Sequence, residues 1–131
     1  MLMARIKNFE DLEIWQLARE ICRDVYTLFL ETSLGNDFAL RNQMDRSSGS
    51  IMDNIAEGFE RNGNKEFIQY LSIAKASCGE LRSQLYRSLD RNQINQPSFN
   101  QLIEKLDLEC NKIGFLMSNL LKSGYKGSKL R

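Results

Sequence analysis

Acidic, thiol and basic side chains are the groups in this sequence that could do chemistry. Glu57 and Glu80 could act as a general acid and a general base, since paired carboxylates do that work in enzymes. No nucleophile or metal-ligand cluster accompanies them, and the 131 residues include no histidine, the commonest general base and zinc ligand. Carboxylates in structural roles are far more frequent than catalytic ones. We therefore expect no catalytic residue, no cofactor and no metal.

The three cysteines, Cys22, Cys78 and Cys110, are far apart and lack the CxxC spacing of zinc and redox sites. Each falls on an apolar helical stripe, which predicts buried and unreactive thiols. The N-terminus has no apolar core of signal-peptide length, and no apolar run approaches the roughly 18 residues of a membrane span. We expect a cytoplasmic protein with no membrane partner.

Basic residues could bind phosphate groups. The net charge of +1 conceals an asymmetry, because residues 1–60 carry 6 basic and 11 acidic side chains whereas residues 61–131 carry 12 and 6. The candidate nucleic-acid contacts are Lys75, Arg82, Lys122, Lys126, Lys129 and Arg131. Such contacts predict weak, salt-sensitive binding of RNA or DNA. A basic C-terminus that only keeps the chain soluble accounts for them equally well.

The segment SSGSIMDNIAEGFER, residues 47–61, places small and polar residues beside apolar ones. Its polar stripe steps by four and three through Gln43, Ser47, Ser50, Asn54, Glu57 and Arg61. A second stripe follows Ser77, Glu80, Gln84, Arg87 and Arg91. Glycine inside a helix costs about 1 kcal/mol relative to alanine, so Gly49 favours a slot in which another helix docks. That helix could belong to the same subunit or to a second copy; a solvated face with a Glu57–Arg61 pair is the plainer alternative.

The periodicity that positions these residues is helical throughout. It predicts helices at about 10–30, 37–61, 65–91 and 98–122, capped by Asn8, Asn36 and Asn64, with Gly63 ending the second helix. The third stripe comprises Phe67, Leu71, Ala74, Cys78, Leu81 and Leu85, and the fourth comprises Phe99, Ile103, Leu106, Cys110, Ile113, Met117 and Leu120. Short loops and a 3.5-residue period predict an all-α, antiparallel four-helix bundle in a single domain, residues 1–122. Residues 123–131 are expected to form a flexible basic tail.

Three stretches, FEDLEIWQLAREICRDVY, NIAEGFER and FIQYLSIAKASCGELRSQL, resemble a family of small bacterial proteins. Its first-described members are encoded in intervening sequences of 23S ribosomal RNA genes. The similarity spans about residues 9–121. It implies a left-handed up-down-up-down bundle that assembles into a homopentameric ring, with no established enzymatic activity. The accessory protein of diversity-generating retroelements, which binds nucleic acid and a reverse transcriptase, is a more distant relative.

Two departures from the family pattern affect the functional hypothesis. Asp45-Arg46 stands where the family usually has paired arginines, and Met52-Asp53 follows Ile51 where the family usually has a proline. The added acids weaken the case for nucleic-acid binding on this helix. The leading hypothesis is therefore a non-enzymatic, oligomeric assembly or scaffold protein associated with RNA or with an unidentified protein. The alternative is a direct, weak and non-specific nucleic-acid binder.

Overall fold

The computed structural model describes residues 6–127, and the side chains of residues 6–123. These residues form four α-helices, α1 (Glu13–Glu31), α2 (Phe38–Glu60), α3 (Asn64–Asp90) and α4 (Gln96–Gly127). Two 3₁₀ turns, Phe9–Asp11 and Ser33–Asn36, precede α1 and α2, and no strand occurs within the described residues. The all-α prediction is confirmed.

The helices pack around a shared apolar core. Helix α3 packs against α2 and α4, and α1 packs against the same two helices, so each helix has two main neighbours. On α3 the predicted stripe is confirmed, because all six of its residues from Phe67 to Leu85 are buried. These positions are alternately four and three residues apart, which keeps one face of a helix turned towards its neighbours.

The helix ends differ from the predicted ones at several caps. Asn8 precedes the first 3₁₀ turn and not α1, and Asp37 rather than Asn36 caps α2 by accepting a 3.4 Å hydrogen bond from the Leu40 N–H. Gly63 has a φ of 116° and precedes Asn64, the first residue of α3. Its positive φ turns the chain between α2 and α3, a backbone conformation that favours glycine.

Helix α4 differs from its prediction in both length and register. It continues to Gly127, so the segment expected as a tail begins as helix, and residues 128–131 lie outside the described residues. Its buried stripe includes Leu102, Leu106, Glu109 and Ile113, whereas Ile103 and Cys110 are only half-buried. The sequence pattern placed Cys110 where the structure places the carboxylate of Glu109, because the two positions are adjacent and cysteine is the more apolar.

Candidate functional site: the seam between α2 and α3

A line of polar contacts joins α2 to α3, and we call it the seam. Its residues are Asp37, Gln43, Ser50, Asn54, Glu57 and Arg61 on the α2 side and Tyr70, Ser77, Arg87, Arg91 and Gln93 on the α3 side. At its centre the Ser77 hydroxyl donates to Ser50 Oγ over 2.8 Å. The amide of Asn54 donates to the backbone carbonyl of Ser50 over 2.8 Å and to Ser50 Oγ over 2.9 Å. The small serine side chains allow this pairing because neither holds the helices apart. Ser50 and Ser77 thus meet within one chain.

At one end of the seam, Glu57, Arg61 and Tyr70 form a triad. Arg61 Nη2 lies 3.0 Å from Glu57 Oε2 and 2.6 Å from the Tyr70 hydroxyl, which itself donates to Glu57 Oε2 over 3.2 Å. The Glu57 carboxylate is the first cause of a raised pKa for the Arg61 guanidinium. Beside the triad, a Cβ on Gly58 would lie 2.6 Å from Tyr70 Cβ, so α2 and α3 approach each other closely here.

At the other end, the seam holds the start of α2 against the end of α3. Arg87 Nη1 donates to Gln43 Oε1 over 2.9 Å. Asp37 Oδ2 accepts from Arg91 Nη1 over 2.6 Å and from Gln93 Nε2 over 2.8 Å. Those two hydrogen bonds, that of Gln93 first, hold the pKa of the Asp37 carboxyl below its ordinary value. Asp37 therefore caps α2 and accepts hydrogen bonds from Arg91 and Gln93, which follow the end of α3.

The other predicted seam residues, Ser47, Glu80 and Gln84, make none of the polar contacts described above. Glu80 is exposed, Ser47 is buried, and Gln84 is buried with an Oε1 that has no hydrogen-bond partner among the described residues. Glu57 contacts Tyr70, which lies ten residues before Glu80 on α3, so the two glutamates are about 15 Å apart along the helix axis. That separation excludes a Glu57–Glu80 acid–base pair acting on one group.

Gly49 does not contribute to the close packing of α2 against α3. Among the described residues, a Cβ on Gly49 would have no neighbour within 4 Å, and the same holds for Gly79 on α3. Gly49 precedes Ser50 by one residue and Gly79 follows Ser77 by two, so the hydrogen-bonded serines place both glycines at one level of the bundle. The close approach that the sequence assigned to Gly49 is made by Gly58.

Glu109 is the group that sequence reasoning missed. Its side chain is 0% exposed, and neither carboxylate oxygen has a hydrogen-bond partner among the described residues. Burial raises the pKa of the Glu109 carboxyl to about 8, against a smaller opposing effect of Lys112. The signal in the sequence was the alternative stripe of Leu102, Leu106, Glu109, Ile113, Leu116 and Leu120, which also steps by four and three.

The three thiols are free and suited to packing. Burial raises the pKa of Cys22 to about 11, and its thiol donates to the Ser48 carbonyl over 3.2 Å. Burial also raises the pKa of the Cys78 thiol. Cys22 and Cys110 are half-buried rather than fully buried. Within the described part of the chain, no cluster of three or more His, Cys, Asp or Glu residues could hold a metal ion.

The structure describes the side chains of three candidate nucleic-acid contacts, Lys75, Arg82 and Lys122. Arg82 Nε lies 3.2 Å from Asp107 Oδ1, within ion-pair distance but not aligned for a hydrogen bond. The Lys75 side chain passes over Gly114, with its Cε 3.3 Å from where a Cβ would be. Lys122 is exposed, and the side chains of Lys126, Lys129 and Arg131 lie outside the described residues. None of the helices between Glu13 and Gly127 is both long and apolar enough to cross a membrane.

A family model described as 23S rRNA-intervening sequence protein matches residues 10–114. The chain belongs to this family. A comparison with curated proteins gives no match. The resemblance seen in the three sequence stretches is thereby confirmed.

The match to the 23S rRNA-intervening sequence family covers the whole seam, the two outward glycines and Glu109. It ends before residues 115–131, which carry Lys122 and the other basic residues of the C-terminus. The seam and the buried glutamate thus lie in the part of the chain that the family model matches, whereas the basic end lies beyond it.

Proposed function

We propose that this chain is a non-enzymatic, cytoplasmic scaffold protein that assembles with copies of itself, as a homopentamer, and holds RNA or a protein partner. The resemblance described above implies the pentamer. The observation that carries the assembly is the pair of helical glycines, Gly49 on α2 and Gly79 on α3, which lie at one level of the bundle and are each open to the outside. A glycine inside a helix costs about 1 kcal/mol relative to alanine, and no contact among the described residues accounts for either one. Helices of neighbouring copies that dock at these two positions would account for both.

Exposed apolar side chains also support assembly. On α4, Phe115 is 70% exposed and Leu121 is 66% exposed, and at the other end of the bundle Leu30 and Phe38 are similarly exposed. Single exposed apolar residues are common on monomeric proteins, but several large ones on a chain of this size favour a partner surface.

We further propose that the bundle is antiparallel, up-down-up-down and left-handed, as a single domain. Contacts between α2 and α3 pair Gln43 with Arg87 and Glu57 with Tyr70, so residue numbers rise on one helix as they fall on the other. Contacts between α1 and α4 follow the same rule, since Lys105 meets Asp24 and Lys112 meets Glu13. The short connections between successive helices support the same topology.

Gly49→Leu tests the proposed assembly. In a monomer the new side chain meets open space, so the protein should be more stable, because leucine is the better helix former. In an assembly that docks on Gly49, the helical content should survive while the oligomer dissociates. Light scattering gives the mass, and circular dichroism gives the helical content and the melting temperature. Gly79→Leu should behave in the same way.

Thr27→Leu is the matched control, because Thr27 is exposed on α1. It adds similar apolar surface away from the two glycines and should leave the mass of the assembly unchanged. A Gly49→Leu protein that is more stable and has the mass of the unaltered protein would refute docking at the glycines. A wild-type chain that is monomeric at all concentrations would refute the assembly itself.

A further inference from the structure

Glu109 occupies a core position in the middle of α4. It lies between Leu106 and Ile113 on the buried stripe, and its side chain is fully buried like theirs. Lys105 contacts Asp24 and Lys112 contacts Glu13, so Glu109 lies level with the part of α1 around Ala18, which is also fully buried. A carboxylic acid therefore stands where an apolar residue would normally pack.

Among the described residues, no cation forms a hydrogen bond or an ion pair with the Glu109 carboxylate. On α4 the charge of Lys112 opposes the rise in the pKa of Glu109, but its Nζ is held 3.0 Å from Glu13 Oε1 of α1. On α3 the neighbouring titratable group is Cys78, near Lys75 and Arg82, with Cys110 on α4 beyond it. On α1, the acids Glu13, Glu20 and Asp24 pair with lysines of α4, and the Arg19 guanidinium lies over the Trp15 ring. All the buried residues of α2 are uncharged. An ionised carboxylate is costly to bury without such a partner.

We propose that Glu109 is a proton-controlled lock on α4. As the neutral acid it packs as a core residue between α1 and α3. When the carboxyl releases its proton to solvent, the middle of α4 loosens so that the carboxylate reaches water. The bundle is closed when Glu109 is protonated and opens along α4 as the pH rises.

The direction of the effect follows from linkage. The pKa of Glu109 in the folded chain, about 8, lies above its ordinary value of 4.5. The folded state therefore binds this proton more tightly than the unfolded state. Its stabilising contribution is fully present below about pH 4.5 and is lost as the pH rises through about 8. Between about pH 4.5 and about pH 8, unfolding releases the proton of Glu109. The folding equilibrium constant therefore falls by up to about tenfold for each pH unit in this range.

Unfolding by urea from about pH 5 to about pH 9 tests the lock. The wild-type folding constant should fall from about pH 5 to about pH 8 and then level off, whereas that of Glu109→Gln, which has nearly the same shape but cannot ionise, should stay flat. Glu104→Gln is the matched control, since Glu104 is exposed on the same helix, and it should keep the wild-type slope. A wild-type protein without this slope, or a Glu109→Gln protein that retains it, would overturn the proposal. Should Glu109→Gln not fold, Glu109→Met replaces it in the same series.

Two measurements distinguish a proton-controlled lock from a merely structural role of Glu109. The infrared spectrum of the wild-type protein near neutral pH should contain the carbonyl band of a protonated carboxylic acid, and its absence would overturn the proposal. Hydrogen exchange, corrected for the intrinsic effect of pH, should accelerate at alkaline pH around Glu109 on α4 more than on α2. Equal acceleration along the whole chain would mean that no lock on α4 exists.

Discussion

At the scale of single residues, two glycines of α2 have opposite surroundings. A Cβ on Gly58 would lie 2.6 Å from Tyr70 Cβ and 3.1 Å from Phe67 Cδ1, whereas one on Gly49 would have no neighbour within 4 Å. Both glycines lie inside the same helix, so the intrinsic gain in helix propensity from alanine is the same for both. Any difference between the two substitutions therefore measures the space available at each position.

We expect Gly58→Ala to destabilise the fold and Gly49→Ala not to. Overpacking at Gly58 should cost about 1–3 kcal/mol, because the rings of α3 must move away. Gly49→Ala should stabilise the helix by up to about 1 kcal/mol in a chain whose outer face is free. Urea unfolding of the two variants and the wild type measures both values. Equal stabilisation by the two alanines would contradict the close approach of α2 and α3 at Gly58.

At the scale of the elements, the seam ties the start of α2 to the end of α3 through Asp37. This aspartate caps α2 and accepts hydrogen bonds from Gln93 and Arg91, which lower its pKa. A lowered pKa contributes stability that is present above the ordinary value of 3.8 and is lost as the pH falls through the lower value in the folded chain. The contribution of Asp37 to stability is thus lost at acidic pH, whereas that of Glu109 is lost as the pH rises.

We expect Asp37→Asn to lower the melting temperature at neutral pH. Asparagine keeps an oxygen for the cap but loses the charge that attracts the Arg91 guanidinium. The difference from wild type should narrow as the pH falls below about 3.8 and should vanish below the lower pKa of folded Asp37, where the wild-type carboxyl is protonated as well. Asp45→Asn, at an exposed acid of the same helix, is the control. A gap in melting temperature that stays constant down to the most acidic pH would show that the charge of Asp37 is not the cause.

At the scale of the whole molecule, the acidic N-terminal half and the basic C-terminal half lie in one bundle. Ion pairs join them across α1 and α4, where Lys105 meets Glu20 and Asp24 and Lys112 meets Glu13. Arg82 is also paired, with Asp107. These pairs leave the basic C-terminal end as the strongest remaining candidate for phosphate contacts, so nucleic-acid binding should be weak and insensitive to sequence.

We expect binding of RNA or DNA only at low salt, and we expect it to depend on the C-terminal end. Replacing Lys126, Lys129 and Arg131 with glutamine in the full chain should weaken binding and flatten its salt dependence, because fewer counterions are released. Replacing Lys7, Arg19 and Arg23 with glutamine removes the same charge near the N-terminus and should have little effect. Fluorescence anisotropy with a labelled RNA measures both. Tight binding at physiological salt that survives the C-terminal replacements would contradict this expectation.

The sequence by itself determined the all-α class, the approximate helices and the core face of α3. A repeat of 3.5 residues is a local property, and it needs no knowledge of the neighbouring helix. The sequence also identified the polar stripes that contain Ser50, Glu57 and Ser77, because polar residues at helical spacing beside an apolar face must lie along an edge of that face. The family resemblance rested on local stretches in the same way.

Only the tertiary structure decided which small or polar residue meets which neighbour. The spacing fits Cys110 and Glu109 almost equally well, and the rotation of α4 against α1 and α3 placed Glu109 in the core. Likewise Gly49 and Gly58 lie on one helix, and the position of Tyr70 on α3 selected Gly58 for the close approach. A helix rotates by about 100° per residue, so one position decides between burial and exposure, and the partner helices fix that rotation.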